Sequence, residues 1–457
     1  MTGGDGAPHA GRGRAVVVGA SMAGLLAARV LSDHFGEVVV LDRDPLPVDA
    51  VARRGLPQAA HAHVLLERGL RLLEGFFPGF ITELGEAGAE PVDCGREALW
   101  LTPRGWSAAH DEGALLMSCS RDLLDAVVRR RLRALAPVRL EERTAVTGLL
   151  ASPDAGRVCG VKVAGDGRDQ SQRFAAELVV DASGRGSPAP RWLAELGYGR
   201  PAESVVDADV GYATRLYARR PGDLEAPYKG IYQQLGPPRR TRGGFLAPIE
   251  EQRWLLTLTG TGGDHPPGEV EGFDRFLHDL DDPLPGVVRG MEPIGDVRIY
   301  RATRNRLRHY ERMRLPAGLL LLGDTVCAFN PVYGQGLTTA ALAALTLDRS
   351  LQGRGDLSRR FQRRLAHANR APWLLATGED YRVPTVRGER PPPGTALLHA
   401  YAGRVFAAST RTPGVARRLQ AVMHMRDSPL ALLRPPVLLA ALGPRGRALP
   451  DAMASRR

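Results

Sequence analysis

Two rhythms of apolar residues run along this chain. The stretches 16–18 and 38–41 are short, unbroken apolar runs edged by glycine or charge, which predicts buried strands of a parallel sheet. Between them an Ala- and Leu-rich segment to about Ser32 predicts a helix, so 14–44, "RAVVVGASMAGLLAARVLSDHFGEVVVLDRD", reads as a βαβ unit. A similar apolar strand, 319–322, stops at Gly323-Asp324, and 334–336 then open another helix. The run 120–136 predicts a helix, 138–165 alternating strands, and 97–110 a further β-region. "VGYATRLYARRPG" and "GGFLAPIEEQRWLLTLTGTGG" (243–263) alternate with period two between Gly and Pro, as antiparallel strands do. After about 352 the pattern is helical, broken by "RPPPG" and "LRPPVLL", and its last apolar helix, 428–442, is expected to pack as a cap.

Composition narrows the function classes. The 457 residues are about three times a typical domain, enough for one large α/β body with an insertion. A net charge of +11 invites a nucleic-acid reading, but the arginines are dispersed apart from 129–131 and Arg239, Arg240 and Arg242, with no aromatics interleaved. Lys162 and Lys229 are the two lysines, a bias that fits GC-rich coding better than a recognition surface, so no nucleic-acid partner is expected. Cys94, Cys119, Cys159 and Cys327 form no CxxC pair, and His61 and His63 at i and i+2 share no helix face, so neither disulfides nor a metal is expected. No stretch approaches the ~18 apolar residues of a spanning helix, and the N-terminus lacks a signal-type apolar segment. A cytoplasmic protein is the expectation.

The first turn carries chemistry. Gly19-Ala20-Ser21-Met22-Ala23-Gly24 is a GxGxxG turn with Ser21 at the middle glycine. Gly19 permits the bend, a small residue at 21 admits a pyrophosphate, Gly24 lets helix and strand pack, and the helix start offers free N–H groups. Asp42, 23 residues after Gly19, stands where an acid can take the hydroxyls of an adenosine ribose. This unit alone does not separate NAD from FAD. The second strand–glycine–helix turn, nearly three hundred residues later, asks for a ligand longer than one turn can hold.

With both turns in view the chain resembles the FAD-dependent monooxygenases of the p-hydroxybenzoate hydroxylase fold, nearest a bacterial natural-product branch that includes polyether flavin epoxidases. "RRGLPQAAHAHVLL", "VVDASGRGS", "GYATRLY" and "GDTVCAFNPVYGQGL" carry the likeness, over about 14–440. It implies an α/β fold: a glutathione-reductase-type Rossmann FAD domain (14–95, 113–204 and 296–352), an inserted antiparallel β-sheet substrate domain (96–112 and 205–295), and a helical C-terminal cap (353–446), between flexible tails at 1–13 and 447–457.

The resemblance also implies site roles. Gly323 and Asp324 would hold the ribityl chain, and Pro331, Gly334, Gln335, Gly336 and Leu337 the pyrimidine edge of the ring. Arg121 would face the FAD phosphates, Val146 the adenine, and Arg43 would flank the adenine beside Asp42. Gln58, His61 and His63 would run close to the flavin. Arg121 suits a pyrophosphate because its planar fork donates two parallel hydrogen bonds. Reduced flavin and O2 would give a C4a-hydroperoxide that donates oxygen to a bulky apolar small molecule, by epoxidation or hydroxylation, without an obligatory catalytic side chain. Tyr212, Tyr217, Phe245, Trp254 and Leu256 are candidates to roof the substrate pocket. Where related hydroxylases carry Asp-Gly, this chain has Ser183-Gly184, with Ser187 and Arg191 kept. That "DASG" form is similar to halogenases and geranylgeranyl reductases, and leaves open whether NAD(P)H acts directly or through a separate flavin reductase. A reductase acting on C–C bonds is therefore the alternative. A halogenase is disfavoured because all five tryptophans are isolated, and a non-catalytic flavoprotein stands further back.

Overall fold

The computed structural model describes residues 12–164 and 172–443. A parallel five-stranded sheet forms its centre, in the order Leu319–Leu321, Leu178–Asp181, Arg12–Val18, Phe35–Leu41 and Val138–Glu141. Val16, Val17, Val39, Val40 and Val179 are fully buried, which is why these strands read as unbroken apolar runs. The helix Met22–Leu31 packs on the sheet and against the helix Gly336–Leu351, with Ala27, Ala28, Ala341 and Ala344 buried in the same core. The antiparallel strands Val146–Ala151, Val158–Val163 and Gln172–Ala175 send Val158, Val161 and Val163 into the same core.

A seven-stranded sheet stands apart from this core, in the order Pro293–Tyr300, Gly211–Ala218, Arg253–Gly260, Arg242–Ile249, Gly230–Gln233, Ala98–Thr102 and Gly105–Trp106. Its far face, Ala213, Tyr217, Leu246, Trp254, Leu256 and Leu258, is covered by Phe273, Phe276 and Leu284 of the helices Val270–His278 and Leu284–Val288. The inner face carries Tyr212, Thr214, Phe245 and Thr257, the alternate positions along the same strands.

Strand pairing shifts the expected boundaries. A division at 295/296 would cut Pro293–Tyr300, all of which belongs to the seven-stranded sheet, so the junction moves to about 301. A division at 204/205 would cut Glu203–Asp207, which pairs with Asn305–Arg308 and Arg387–Gly388 in a four-stranded sheet. Proline and glycine punctuate the chain locally; long-range pairing decides where a layer ends. Residues 12 and 13, expected in a tail, already belong to the first strand, while residues 1–11 and the expected tail at 447–457 lie outside the described residues.

The C-terminal region is helical: Leu357–Asp380, Thr395–Ser409, Pro413–Met423 and Pro435–Leu442. The single helix expected at 428–442 is divided into a 3-10 turn, Pro429–Leu433, and the final helix. Pro435 explains the break, since it lacks the N–H to continue a helix but fits the first turn of a new one. Among the described residues no helix is long and apolar enough to cross a membrane.

Candidate functional site

The site begins where the strand Arg12–Val18 ends. Gly19 has φ +99°, and its N–H bonds the Leu41 carbonyl at 2.8 Å. A Cβ there would sit 2.7 Å from the Ala182 carbonyl oxygen, and one on Gly24 only 1.8 Å from that of Gly19. Neither position admits a side chain. Ser21 precedes the helix without capping it; its hydroxyl instead accepts from Arg121 Nη2 at 3.2 Å. Arg121 begins the helix Arg121–Arg133 and is braced by Asp125, Nε to Oδ1 2.8 Å, both side chains nearly fully buried.

Asp42 closes the other side of this turn. Its Oδ2 accepts from Ala20 N at 2.6 Å, and its Oδ1 from Asp44 N at 2.9 Å. Arg53 supplies an ion pair, Nη2 to Oδ1 3.1 Å, and donates to the Ala20 carbonyl. The sequence reading missed Arg53, although it stands five residues ahead of Gln58 in a stretch already singled out.

The second turn lies against the first. Gly323, φ +63°, begins the 3-10 turn Gly323–Thr325, and a Cβ on it would fall 2.6 Å from the Cβ of Ala23. Asp324 follows, its Oδ2 3.8 Å from Arg185 Nε. Arg185 donates to the carbonyls of Arg304 and Phe329, and the sequence reading missed it too, though it directly follows "DASG". The acid of that motif, Asp181, is buried and accepts from Ser183 N, Ser183 Oγ and Ser187 Oγ, which folds the loop tightly. Arg191 is instead on the surface, 3.6 Å from Glu195.

A single cavity of about 680 Å³ touches both turns. At one end Gly19, Ser21, Met22, Asp42, Arg43, Arg121 and Val146 line it. At the other, Gly323, Asp324, Pro331, Gly334, Gly336 and Leu337 do, with Ala23, Gln58 and His63 on the wall as well. Three predicted residues do not reach it. Gly24 serves helix packing, the Gln335 side chain is buried, and His61 lies under the wall with Nδ1 2.8 Å from Thr214 Oγ1. Burial, aided by Arg301, lowers the His61 pKa to about 4; burial, aided by Arg121, lowers that of His63 to about 3. Both imidazoles are neutral at neutral pH.

The donor set and shape fit a flavin dinucleotide. A Cβ on Gly184, Gly186 or Gly336, all on the cavity wall, would meet no protein atom within 4 Å, so these glycines leave their room to a ligand. Among the described residues no cluster of His, Cys, Asp or Glu could hold a metal.

Of the five residues proposed to roof a pocket, two face inward. Tyr212 donates to Asn330 Oδ1 at 3.0 Å, and Phe245 borders a small void of about 20 Å³ with His63, Val64 and Leu255. Tyr217, Trp254 and Leu256 point to the far face and belong to the cluster under the helices. The reason is strand alternation combined with register: Phe245 pairs with Thr257, which leaves 254 and 256 on the opposite side. Tyr232, beside Phe245 at 6.2 Å between ring centroids, is an inward aromatic that the sequence reading passed over.

The α/β fold and this two-ended cavity suit a dinucleotide-binding protein. Residues 13–354 match the family described as FAD binding domain, and the chain belongs to it. Protein Rv3254 of Mycobacterium tuberculosis is 34% identical over 393 residues, 82% of this chain and 81% of its own. A kynurenine 3-monooxygenase of Salinispora tropica is 26% identical over 366 residues, 76% of this chain and 74% of its own. The crystal structure of a flavoprotein/dehydrogenase from Cytophaga hutchinsonii superposes with a TM-score of 0.68 at 14% identity, covering 94% of this chain and 98% of that one, a likeness of fold. The chain is thus a member of an FAD-binding family that has a monooxygenase among its relatives.

Proposed function

We propose that this protein is an FAD-dependent monooxygenase that inserts one atom of O2 into a bulky, apolar small molecule by epoxidation or hydroxylation, in the cytoplasm. The observation that carries the reading is the cavity of about 680 Å³ lined by both glycine turns, three hundred residues apart in the chain. Bound FAD, once reduced, supplies the activation of O2.

The chain's own residues have binding, orienting and shielding roles. Asp42 takes the adenosine ribose, Arg43 and Val146 border the adenine, and Arg121 with the N–H groups after Ser21 receives the pyrophosphate. Asp324 takes the ribityl hydroxyls. The N-terminus of the helix Gly336–Leu351 has no acid in its first turn, so its positive end meets charge developing on the ring, worth ~0.3–1 kcal/mol if exposed and up to ~2 if partly buried. Neutral His63 lines the cavity, and Phe245, which shares the small void beside it on the inner face of the sheet, is placed to help keep water from the reacting atoms. Electrons come from NAD(P)H, directly or through a flavin reductase partner.

A second reading, an FAD-dependent reductase acting on C–C bonds, draws support from the "DASG" loop, whose Ser183 and Gly184 line the cavity. Isotopic oxygen separates the two. A monooxygenase transfers label from 18O2 into product; a reductase turns over without it.

A further inference from the structure

The helix Leu357–Asp380 ends on a carboxylate that is 1% exposed. Tyr333 donates to its Oδ1 at 2.5 Å, Asn305 Nδ2 to its Oδ2 at 2.5 Å, and Asn330 Nδ2 stands 3.5 Å from Oδ1. Among the described residues no cation pairs with Asp380. Arg382, two positions on, pairs with Glu379, Nε to Oε2 3.1 Å. A buried carboxylate held by neutral donors alone costs stability, which makes it a candidate for a functional role.

What Asp380 holds is the loop 330–334. Asn330 also accepts from Tyr212, donates its backbone N–H to Asn305 Oδ1 at 2.7 Å, and caps the 3-10 turn Pro331–Tyr333. Pro331 and Gly334 face the large cavity; Val332 and Tyr333 face a void of about 20 Å³ bordered by Tyr232, Val383 and Asp380. The loop is a thin partition between the two spaces, and the acid grips it from behind.

We propose that Asp380 is a positioning residue for the flavin: as a carboxylate it clamps Asn330 and Tyr333, and with them the partition 330–334, in the shape that receives the ring, and protonation releases the clamp. The proposal rests on the FAD reading of the cavity. Protonation puts an O–H on one carboxyl oxygen: on Oδ2 it faces the Asn305 N–H, and on Oδ1 it obliges the Tyr333 hydroxyl to turn and accept, so the set of donors that grips the carboxylate changes. Burial pushes the Asp380 pKa up to about 7, which puts that change within reach of neutral pH. The titratable groups around it are Tyr333 on the loop, Tyr212 and Tyr232 on the sheet, and Glu379 and Tyr381 on its own helix end. Burial raises the pKa of each of these phenols, so none titrates between pH 5 and 8.

The test is a fluorescence titration of flavin-free protein with FAD between pH 5.5 and 8.5. In the wild type the Kd is expected to rise by about tenfold toward acid, the effect of a one-unit pKa difference between free and bound forms. Asp380→Asn is expected to bind weakly at every pH, with no slope. Because that variant changes a buried site, Tyr333→Phe provides an independent reading: it keeps the carboxylate but removes one donor, so the midpoint of the pH dependence moves upward. An Asp380→Asn protein with wild-type affinity and slope, or a Tyr333→Phe protein with an unmoved midpoint, overturns the clamp. Wild-type protein that binds no FAD at any pH overturns the flavin reading and the clamp with it.

Discussion

A Cβ placed on Gly323 would lie 2.6 Å from the Cβ of Ala23, three hundred residues away in the chain. That approach brings the second glycine turn onto the start of the first helix and makes one cavity out of two local motifs. It also separates glycines that serve packing from glycines that serve the ligand.

Gly323→Ala is expected to destabilise the protein by ~1–3 kcal/mol, through overpacking against Ala23 and a left-handed φ, and to lose FAD as a consequence. Gly336→Ala meets open space at the cavity wall, so its flavin-free form should melt at or above the wild-type temperature while its FAD affinity falls. Calorimetry beside FAD titration distinguishes them.

Arg121→Met leaves Asp125 buried and uncompensated, a loss of ~3–5 kcal/mol, and should also weaken FAD binding. Adding Asp125→Asn is expected to recover much of the stability and none of the affinity. Recovery of affinity in the double variant would show that Arg121 only props the turn.

The buried titratable groups set the pH dependence of stability. His61 and His63 have folded pKa values lowered to about 4 and about 3, so the stability they allow is present above their unfolded pKa near 6.5 and is lost as pH falls toward 4. Asp380 acts in the opposite sense. Its folded pKa, raised to about 7, makes its contribution largest in acid and diminishing as pH climbs from about 4 to 7. The melting temperature of Asp380→Asn relative to wild type should therefore rise between pH 5 and 8; a constant difference contradicts this.

The two faces of the seven-stranded sheet respond differently to truncation. Leu256→Ala, fully buried on the far face, should cost ~2–5 kcal/mol and leave substrate preference alone. Phe245→Ala borders the void beside His63 and should change KM or the share of reducing equivalents lost as peroxide, at a smaller cost in stability. Steady-state kinetics with oxygen-consumption measurements check both.

What could be read in the sequence was what short-range periodicity encodes. The βαβ unit, the strand ending at Gly323-Asp324 and the helix after Gly336 each announce themselves within about twenty residues, and the two turns lie together on one cavity. Tyr217, Trp254 and Leu256 could not be assigned a face, because an aromatic or leucine on a strand suits either side until register and the covering helices Val270–His278 and Leu284–Val288 are known. Arg53 and Arg185 gain their places from partners brought in by folding, Asp42 and Asp324. Asp380 lies on a helix without motif chemistry, and only the tertiary approach of Asn305, Asn330 and Tyr333 makes it more than a surface-type acid.

The central claim is one FAD per chain, stretched between Asp42 and Asp324. Visible absorbance of purified protein, wild type against Asp324→Ala, measures it directly. A yellow wild type with one flavin per chain and a colourless, folded variant is the expected result; a folded Asp324→Ala protein that retains stoichiometric flavin, or a wild type that carries only a nicotinamide nucleotide, contradicts it.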